Sequence, residues 1–205
     1  ILRKPLIDTD VLIVGAGFAG AVIAERVAND LGKQCVVIDK RKHIGGNCYD
    51  KKSELGILTH QYGPHYFRTN SRKVKNYVES FSEFRPVNYR LSSWTKGKYW
   101  SFPINLKTYE QLVGRDATEG EFKQYLQETR EYNENPTNSE EVVLSKAGRE
   151  LYDLFFKNYT IKQWGKSPKE LLPEVCARVP IRTNRDDQYL REKYQIYPKD
   201  GYTKI

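Results

Sequence analysis

The stretch Val11-Leu-Ile-Val-Gly15-Ala-Gly17-Phe-Ala-Gly20, followed by Cys35-Val-Val-Ile38 and Asp39, constrains this chain more than anything else in it. A short branched apolar run leading into closely spaced glycines reads as a buried strand, a tight turn and a helix start. Gly15 permits the turn, Gly17 lets backbone approach a bound group, and Gly20 lets the helix pack closely on the strand. The pattern predicts a helix over Ala21–Asn29 and a second strand at Cys35–Ile38. Free N–H groups and the positive end of the helix dipole at Gly17–Ala21 then offer an anion site. Asp39, closing the second strand, can accept hydrogen bonds from both hydroxyls of a ribose. Strand, helix and acid in this order make the unit a dinucleotide-binding βαβ element of Rossmann type.

A second glycine pair follows in Lys40-Arg-Lys-His43-Ile-Gly45-Gly46-Asn47. A turn would also use glycine here. After the first motif, though, the doublet is a second place for backbone to lie against a long cofactor, and it favours FAD over a nicotinamide.

The formal charge of +8 does not point to nucleic acid, because the basic residues alternate with acids, as in Lys166–Glu174 and Arg182–Lys193. No nucleic-acid motif is present, and the positive field suits anionic small ligands instead. No apolar run is long enough to span a membrane. The 3 cysteines, Cys35, Cys48 and Cys176, are isolated, which fits a reducing, cytoplasmic setting. His43 and His60 lack partners at metal spacing, so no metal site is expected. The chain has no methionine and stops after Lys199-Asp-Gly-Tyr-Thr-Lys-Ile205, with few further strands to complete a doubly wound sheet. An incomplete chain is therefore expected, inactive on its own.

Farther along, Val74, Tyr77, Val78 and Phe81 form one helical stripe within Ser71–Phe81. Val87–Ser92 and Tyr99–Phe102 read as strands around a Lys96-Gly97 turn. Helices are expected at Thr108–Val113 and Glu119–Tyr132, then after a Ser139 cap, and again over Arg149–Tyr159. Ser167-Pro-Lys-Glu170 is a capping box, inside a loop, Gly165–Arg178, expected to be mobile. Val179–Thr183 and Tyr194–Tyr197 are expected to return to a sheet. The domain reading is a FAD-binding unit over 1–86, substrate-side sheet segments at 87–104 and 179–205, and a helical domain inserted at 105–178. The fold class is α/β, with an inserted helical domain and part of an antiparallel sheet.

From Asp10 onward the chain also resembles the UDP-galactopyranose mutases. The likeness lies in Asp39-Lys-Arg…His-Ile-Gly-Gly-Asn47, Tyr62-Gly-Pro-His65-Tyr-Phe-Arg-Thr69, Ser101-Phe-Pro-Ile-Asn-Leu106 and Tyr159-Thr-Ile-Lys-Gln-Trp-Gly165. The last is the most specific, since no fold requirement calls for it. The resemblance implies an isomerase that interconverts UDP-galactopyranose and UDP-galactofuranose, with the N5 of reduced FAD as nucleophile at the anomeric carbon. It implies NADH or NADPH as reductant, and a homodimer for the full-length protein.

The implied cofactor contacts are Gly15, Gly17, Phe18, Ala19, Gly20, Asp39, Lys40, Gly45, Gly46, Asn47 and His65. His65, otherwise a structural histidine in a tight turn, would lie against the flavin. Asn88, Phe155, Phe156, Tyr159, Thr160, Trp164, Arg178 and Tyr189 would bind substrate, although core packing explains Phe155 and Phe156 equally well. Tyr159 and Trp164 are placed at the helix end and in the loop. Arg178 would grip the diphosphate, a role Arg182 and Arg185 could share, and His65 and Arg178 are the expected catalytic residues. Two rivals stand: a flavin-dependent oxidoreductase of the amine oxidase or desaturase type, which fits everything through Gly46, and a non-enzymatic nucleotide-binding module.

Overall fold

The computed structural model describes residues 7–205, which divide into two compact units: the chain through Val87 together with Glu192–Ile205, and Asn88–Arg191. In the first unit, β1 (Val11–Val14) and β2 (Cys35–Ile38) pair in parallel, Val11 opposite Cys35 and Val14 opposite Ile38. α1 (Phe18–Leu31) connects them. It starts earlier than expected, at Phe18, because Gly17 already serves as its N-cap. Gly20 lies inside the helix yet earns its place sterically: a Cβ there would sit 1.9 Å from the Gly15 carbonyl oxygen. The α/β reading with a Rossmann-like βαβ unit holds.

Short strands complete this unit. β3 (Asp50–Lys52) pairs antiparallel with β4 (Leu58–His60). β5 (Phe67–Thr69) and β6 (Phe84–Pro86) flank the chain's last strand, β9 (Tyr194–Pro198), also antiparallel. α2 (Arg72–Glu79) is capped by the Ser71 hydroxyl, which accepts from Val74 N–H. Residues 192–205 therefore group with the glycine-rich unit, whereas a separate substrate-side sheet with 87–104 was expected. The carboxylate of buried Asp50 secures that grouping, accepting the N–H groups of Tyr202 at 2.7 Å and Thr203 at 3.0 Å.

The second unit opens with a hairpin, β7 (Leu91–Thr95) and β8 (Lys98–Phe102). Its turn residues Lys96 and Gly97 both have positive φ, 47° and 73°, as a tight two-residue hairpin turn demands. The first strand starts at Leu91, not Val87, because Val87 N–H bonds to Gln195 in the first unit's sheet. α3 (Leu106–Val113) and α4 (Glu119–Thr129) each begin with a capping box, Asn105/Thr108 and Thr118/Glu121. Phe122 stacks on Tyr109 at 4.8 Å, fixing their contact face.

α5 (Ser139–Tyr152) is capped by Asn138, not Ser139 as expected; the Ser139 hydroxyl instead donates to Leu172 O. The helix breaks at Gly148 (φ 78°, ψ 174°), where a Cβ would sit 2.5 Å from the Thr129 carbonyl oxygen, so a new helical run does start at Arg149. That run does not end at Tyr159. A π-helical turn, Asp153–Lys157, leads into α6 (Asn158–Trp164), and then come α7 (Glu174–Ala177) and an irregular segment. Val179–Thr183 forms no strand; Arg182 N–H bonds singly to Ile104 O. The core gathers Trp100, Ile104, Tyr109, Phe122, Leu151, Tyr152 and Phe155.

Candidate functional site

The expected cofactor residues all fall in the first unit. Gly15 takes φ +111°, a conformation that side chains disfavour. Gly17 caps α1 with no side-chain hydrogen bond, and the first turn carries no acid. The leading N–H groups of α1 therefore have no partner from a capping side chain, as an anion-binding helix start requires. Phe18 follows at the helix start and meets Tyr202 edge-on at 5.6 Å, while Ala19 is exposed.

Asp39 is exposed at the end of β2, and it is busy. Its carboxylate accepts Arg41 N–H at 2.8 Å and Ala16 N–H at 2.8 Å. These two bonds, the Arg41 one foremost, hold its carboxyl below the usual carboxylate range. Asp39 thus fixes the glycine turn, a duty the sequence did not disclose.

Gly45 and Gly46 find a structural reason too. Gly45 N–H donates to Ala16 O at 2.8 Å, and a Cβ on Gly46 would sit 2.9 Å from the Gly17 α-carbon. The two glycine loops are packed backbone to backbone. Lys40 is exposed beside them, and Asn47 accepts from Arg41 at 2.9 Å. A cleft of about 450 Å³ opens here, lined by Ala16, Gly17, Phe18, Gly45 and, farther along α1 and α2, Val22, Tyr77 and Phe81. The backbone cradle, the uncapped helix start and the acid together fit a dinucleotide.

His65 stands in a turn whose imidazole Nδ1 lies 2.8 Å from Gly63 O. Its backbone N–H donates to His60 Nδ1 at 3.1 Å. His60 escaped the sequence reading except as a failed metal ligand. A β-strand position next to a glycine turn was the only available signal.

The expected substrate residues all fall in the second unit. Phe155 and Phe156 are buried in its core; Phe155 meets Trp100 edge-on at 5.5 Å and Phe102 at 6.0 Å. Both stand on the π-helical turn, a rare geometry that is frequent at functional sites. Tyr159 and Trp164, placed by sequence at a helix end and in a loop, are both within α6. Each is largely exposed, at 65% and 49%. Thr160 faces inward, its hydroxyl 3.7 Å from Cys176 Sγ, which ties α6 to α7.

Arg178 caps the end of α7 and is exposed, with no ion pair among the described residues. The two neighbours expected to share its role are committed elsewhere: Arg182 to Asp186 and to the Asp186 and Gln188 carbonyls, Arg185 to Glu110. In the stretch expected as a mobile loop, Pro168, Leu171 and Cys176 are buried and Leu171 O accepts from Ser139 N–H. Asn88 and Tyr189 are brought near one another by the Arg90–Gln188 bridge and the edge-on Tyr89–Tyr189 contact.

Two family models match the chain. Residues 13–81 match a family model described as an NAD(P)-binding Rossmann-like domain, and residues 154–205 match that of UDP-galactopyranose mutase. The chain is 41% identical over 200 residues to a probable UDP-galactopyranose mutase of Klebsiella pneumoniae, covering 97% of this chain and 52% of that protein. It is 42% identical over 197 residues to the dTDP-fucopyranose mutase of Escherichia coli, covering 95% and 52%. The UDP-galactopyranose mutase of Mycoplasma genitalium matches at 33% identity, covering 95% and 49%. The chain thus spans about half the length of these curated relatives. A crystal structure of reduced UDP-galactopyranose mutase shares the fold, with a TM-score of 0.70 at 22% identity over 98% of this chain and 45% of that one. The chain belongs to the UDP-galactopyranose mutase family.

Proposed function

We propose that the protein carrying this chain binds FAD and interconverts the pyranose and furanose forms of a nucleoside diphosphate sugar, UDP-galactose in the first instance. When bound and reduced, FAD supplies the nucleophile, N5, at the sugar's anomeric carbon. The chain's own residues bind and orient. The uncapped start of α1 faces the cofactor pyrophosphate, Asp39 takes the ribose hydroxyls, and the His65 turn lies against the flavin. Tyr159 stacks on the nucleobase, Trp164 lines the sugar end, and the Arg178 guanidinium grips the diphosphate with its planar fork of donors. Asn88, Tyr189 and Thr160 complete the substrate side, with Phe155 and Phe156 packed in the core of the same unit. NADH or NADPH is the proposed reductant, and a homodimer the proposed assembly.

The observation that carries this reading is the release of Arg178 from all ion pairing among the described residues while Arg182 and Arg185 are both committed. An unpaired cation on α7, bonded through Cys176 to the helix that displays Tyr159 and Trp164, suits a polyanionic aromatic ligand. Similarity to a dTDP-fucopyranose mutase at 42% supports a second reading within the class, a thymidine-linked 6-deoxy sugar. Anaerobic incubation with dithionite-reduced FAD and either sugar nucleotide tests both, with ring-form conversion followed by chromatography. Conversion of one or both at constant flavin redox state is expected. Stoichiometric consumption of oxygen or NADP⁺ with product would overturn the mutase reading in favour of an oxidoreductase.

A further inference from the structure

The turn Gly63-Pro64-His65 is held by a side chain outside it. His60, at the end of β4, accepts the His65 backbone N–H on Nδ1 at 3.1 Å. Its Nε2 lies 3.0 Å from the Tyr197 hydroxyl on β9. An imidazole that accepts on Nδ1 carries its proton on Nε2. One ring thus spans the turn and the last strand, in a single tautomer. We infer that His60 is a positioning residue for the His65 turn, pinning it only as the neutral Nε2–H tautomer and releasing it on protonation.

Protonation puts a second N–H at Nδ1, facing the His65 N–H, and two donors cannot bond. The surroundings favour the neutral ring. Burial is the main influence lowering its pKa; His65, whose ring is parallel to it at 6.2 Å, pushes the same way, while Asp50 and a hydrogen bond to the Gly63 backbone oppose both without reversing the shift. The other titratable groups facing it are the phenols of Tyr197, at 5.5 Å between rings, and Tyr202, edge-on at 5.9 Å. The Asp50 carboxylate is already occupied by the amides of Tyr202 and Thr203, so it is not free to turn and pair with a charged His60. Sequence alone could not show this, because the partner strand is distant in the chain: |i−j| is 137 for His60 and Tyr197. The pin itself needs no cofactor; its consequence for catalysis rests on the proposed contact between the His65 turn and the flavin.

The test is NMR on the isotopically labelled protein without flavin, so that its outcome is independent of the cofactor reading. Ring nitrogen shifts at pH 7.5 should show His60 protonated on Nε2 alone. The His65 amide should exchange slowly there and, after correction for intrinsic chemistry, lose roughly tenfold protection as His60 takes up its proton, as befits one hydrogen bond. His60→Asn offers a carbonyl oxygen near the Nδ1 position with nothing to protonate, and should keep the amide protected and make it pH-insensitive between pH 5 and pH 8. His65→Ala removes the turn's own imidazole but keeps the amide, and the pH dependence should survive. A protonated Nδ1 at pH 7.5, or His65 amide protection that does not follow the titration of His60 in the unaltered protein, would overturn the inference. In the loaded enzyme, a flavin spectrum insensitive to His60 protonation despite a confirmed pin would count against the flavin contact alone.

Discussion

The candidate sites of the two units are built of different material. In the first, the proposed binding surface is backbone: Gly20 is wedged against Gly15 and Gly46 against Gly17, Gly45 bonds to Ala16, and Asp39 staples the turn. In the second, the surface we propose for the substrate consists of exposed side chains on α6, Tyr159 and Trp164, and at the end of α7, Arg178. Where backbone is packed this closely, as at Gly20 and Gly46, a wrong residue damages the fold itself. A side-chain site is under-determined, so its residues can be exchanged with little structural cost, and with them the ligand. That contrast accords with a family whose members include both a UDP-galactopyranose and a dTDP-fucopyranose mutase.

The sharpest way to break the contrast is at the glycines. Gly20→Val should cost about 3 kcal/mol or more, because its side chain meets the Gly15 backbone and nothing there can give way. Thermal denaturation should show a large fall in Tm together with loss of FAD. Gly17→Val is the informative partner. Its Cβ meets nothing closer than the Gly46 α-carbon at 3.7 Å, and its φ of −86° suits any residue. It should fold with nearly normal Tm and still fail to retain FAD.

In the second unit the analogous necessity is the Glu140 cluster. Glu140 is buried and accepts from Tyr152, itself wholly inaccessible, at 2.6 Å, and from Arg149 at 3.2 Å. Burial raises its pKa, but those hydrogen bonds outweigh burial and leave it lowered. A lowered folded pKa contributes stability above the ordinary glutamate value, about 4.3, that is lost as pH falls through the folded value. Glu140→Ala should cost about 2 kcal/mol by stranding the Tyr152 hydroxyl. It should also flatten the acid limb of a Tm–pH profile below about pH 4.3, and ligand affinity should change far less than stability.

Arg178→Ala should do the opposite. Loss of a charge-assisted grip of about 1.5–3 kcal/mol predicts a fall of roughly ten- to a hundredfold in UDP affinity, with Tm and FAD spectrum unchanged. Calorimetric titration should show the same loss for the sugar nucleotide. Arg185→Ala, which frees Glu110 and removes no proposed ligand contact, should leave UDP affinity unaltered. The smallest effect is expected at Trp164→Ala, which should weaken the sugar nucleotide more than UDP; equal losses would move Trp164 away from the sugar end.

Legibility followed the same divide. The βαβ unit could be read directly because each glycine answers a local steric demand, and the helical stripes because their period is local. The short strands β3 to β6 could not, since a three-residue strand carries no periodicity and its pairing is fixed by distant contacts such as Asp50 with Thr203; β9 was found, at Tyr194, but not its partners β5 and β6. The π-helical turn under Phe155 and Phe156 was invisible for a related reason: it shifts helical register without altering composition. Among the three arginines the sequence offered no choice, because only the positions of Asp186 and Glu110 distinguish a committed guanidinium from a free one. The resemblance named the residues of the second unit, Arg178 among them; the structure adds that Arg182 and Arg185 are ion-paired.

The division of labour itself is tested most directly by titrating UDP calorimetrically into the protein and its Gly17→Val and Arg178→Ala variants, with bound FAD measured on the same samples. A double dissociation is expected. Gly17→Val should lose FAD and keep a folded second unit that binds UDP, and Arg178→Ala should keep FAD and bind UDP at least about tenfold more weakly. If Arg178→Ala binds UDP as tightly as the unaltered protein, or Gly17→Val retains FAD, the assignment of cofactor to the glycine cradle and sugar nucleotide to the α6–α7 face is wrong.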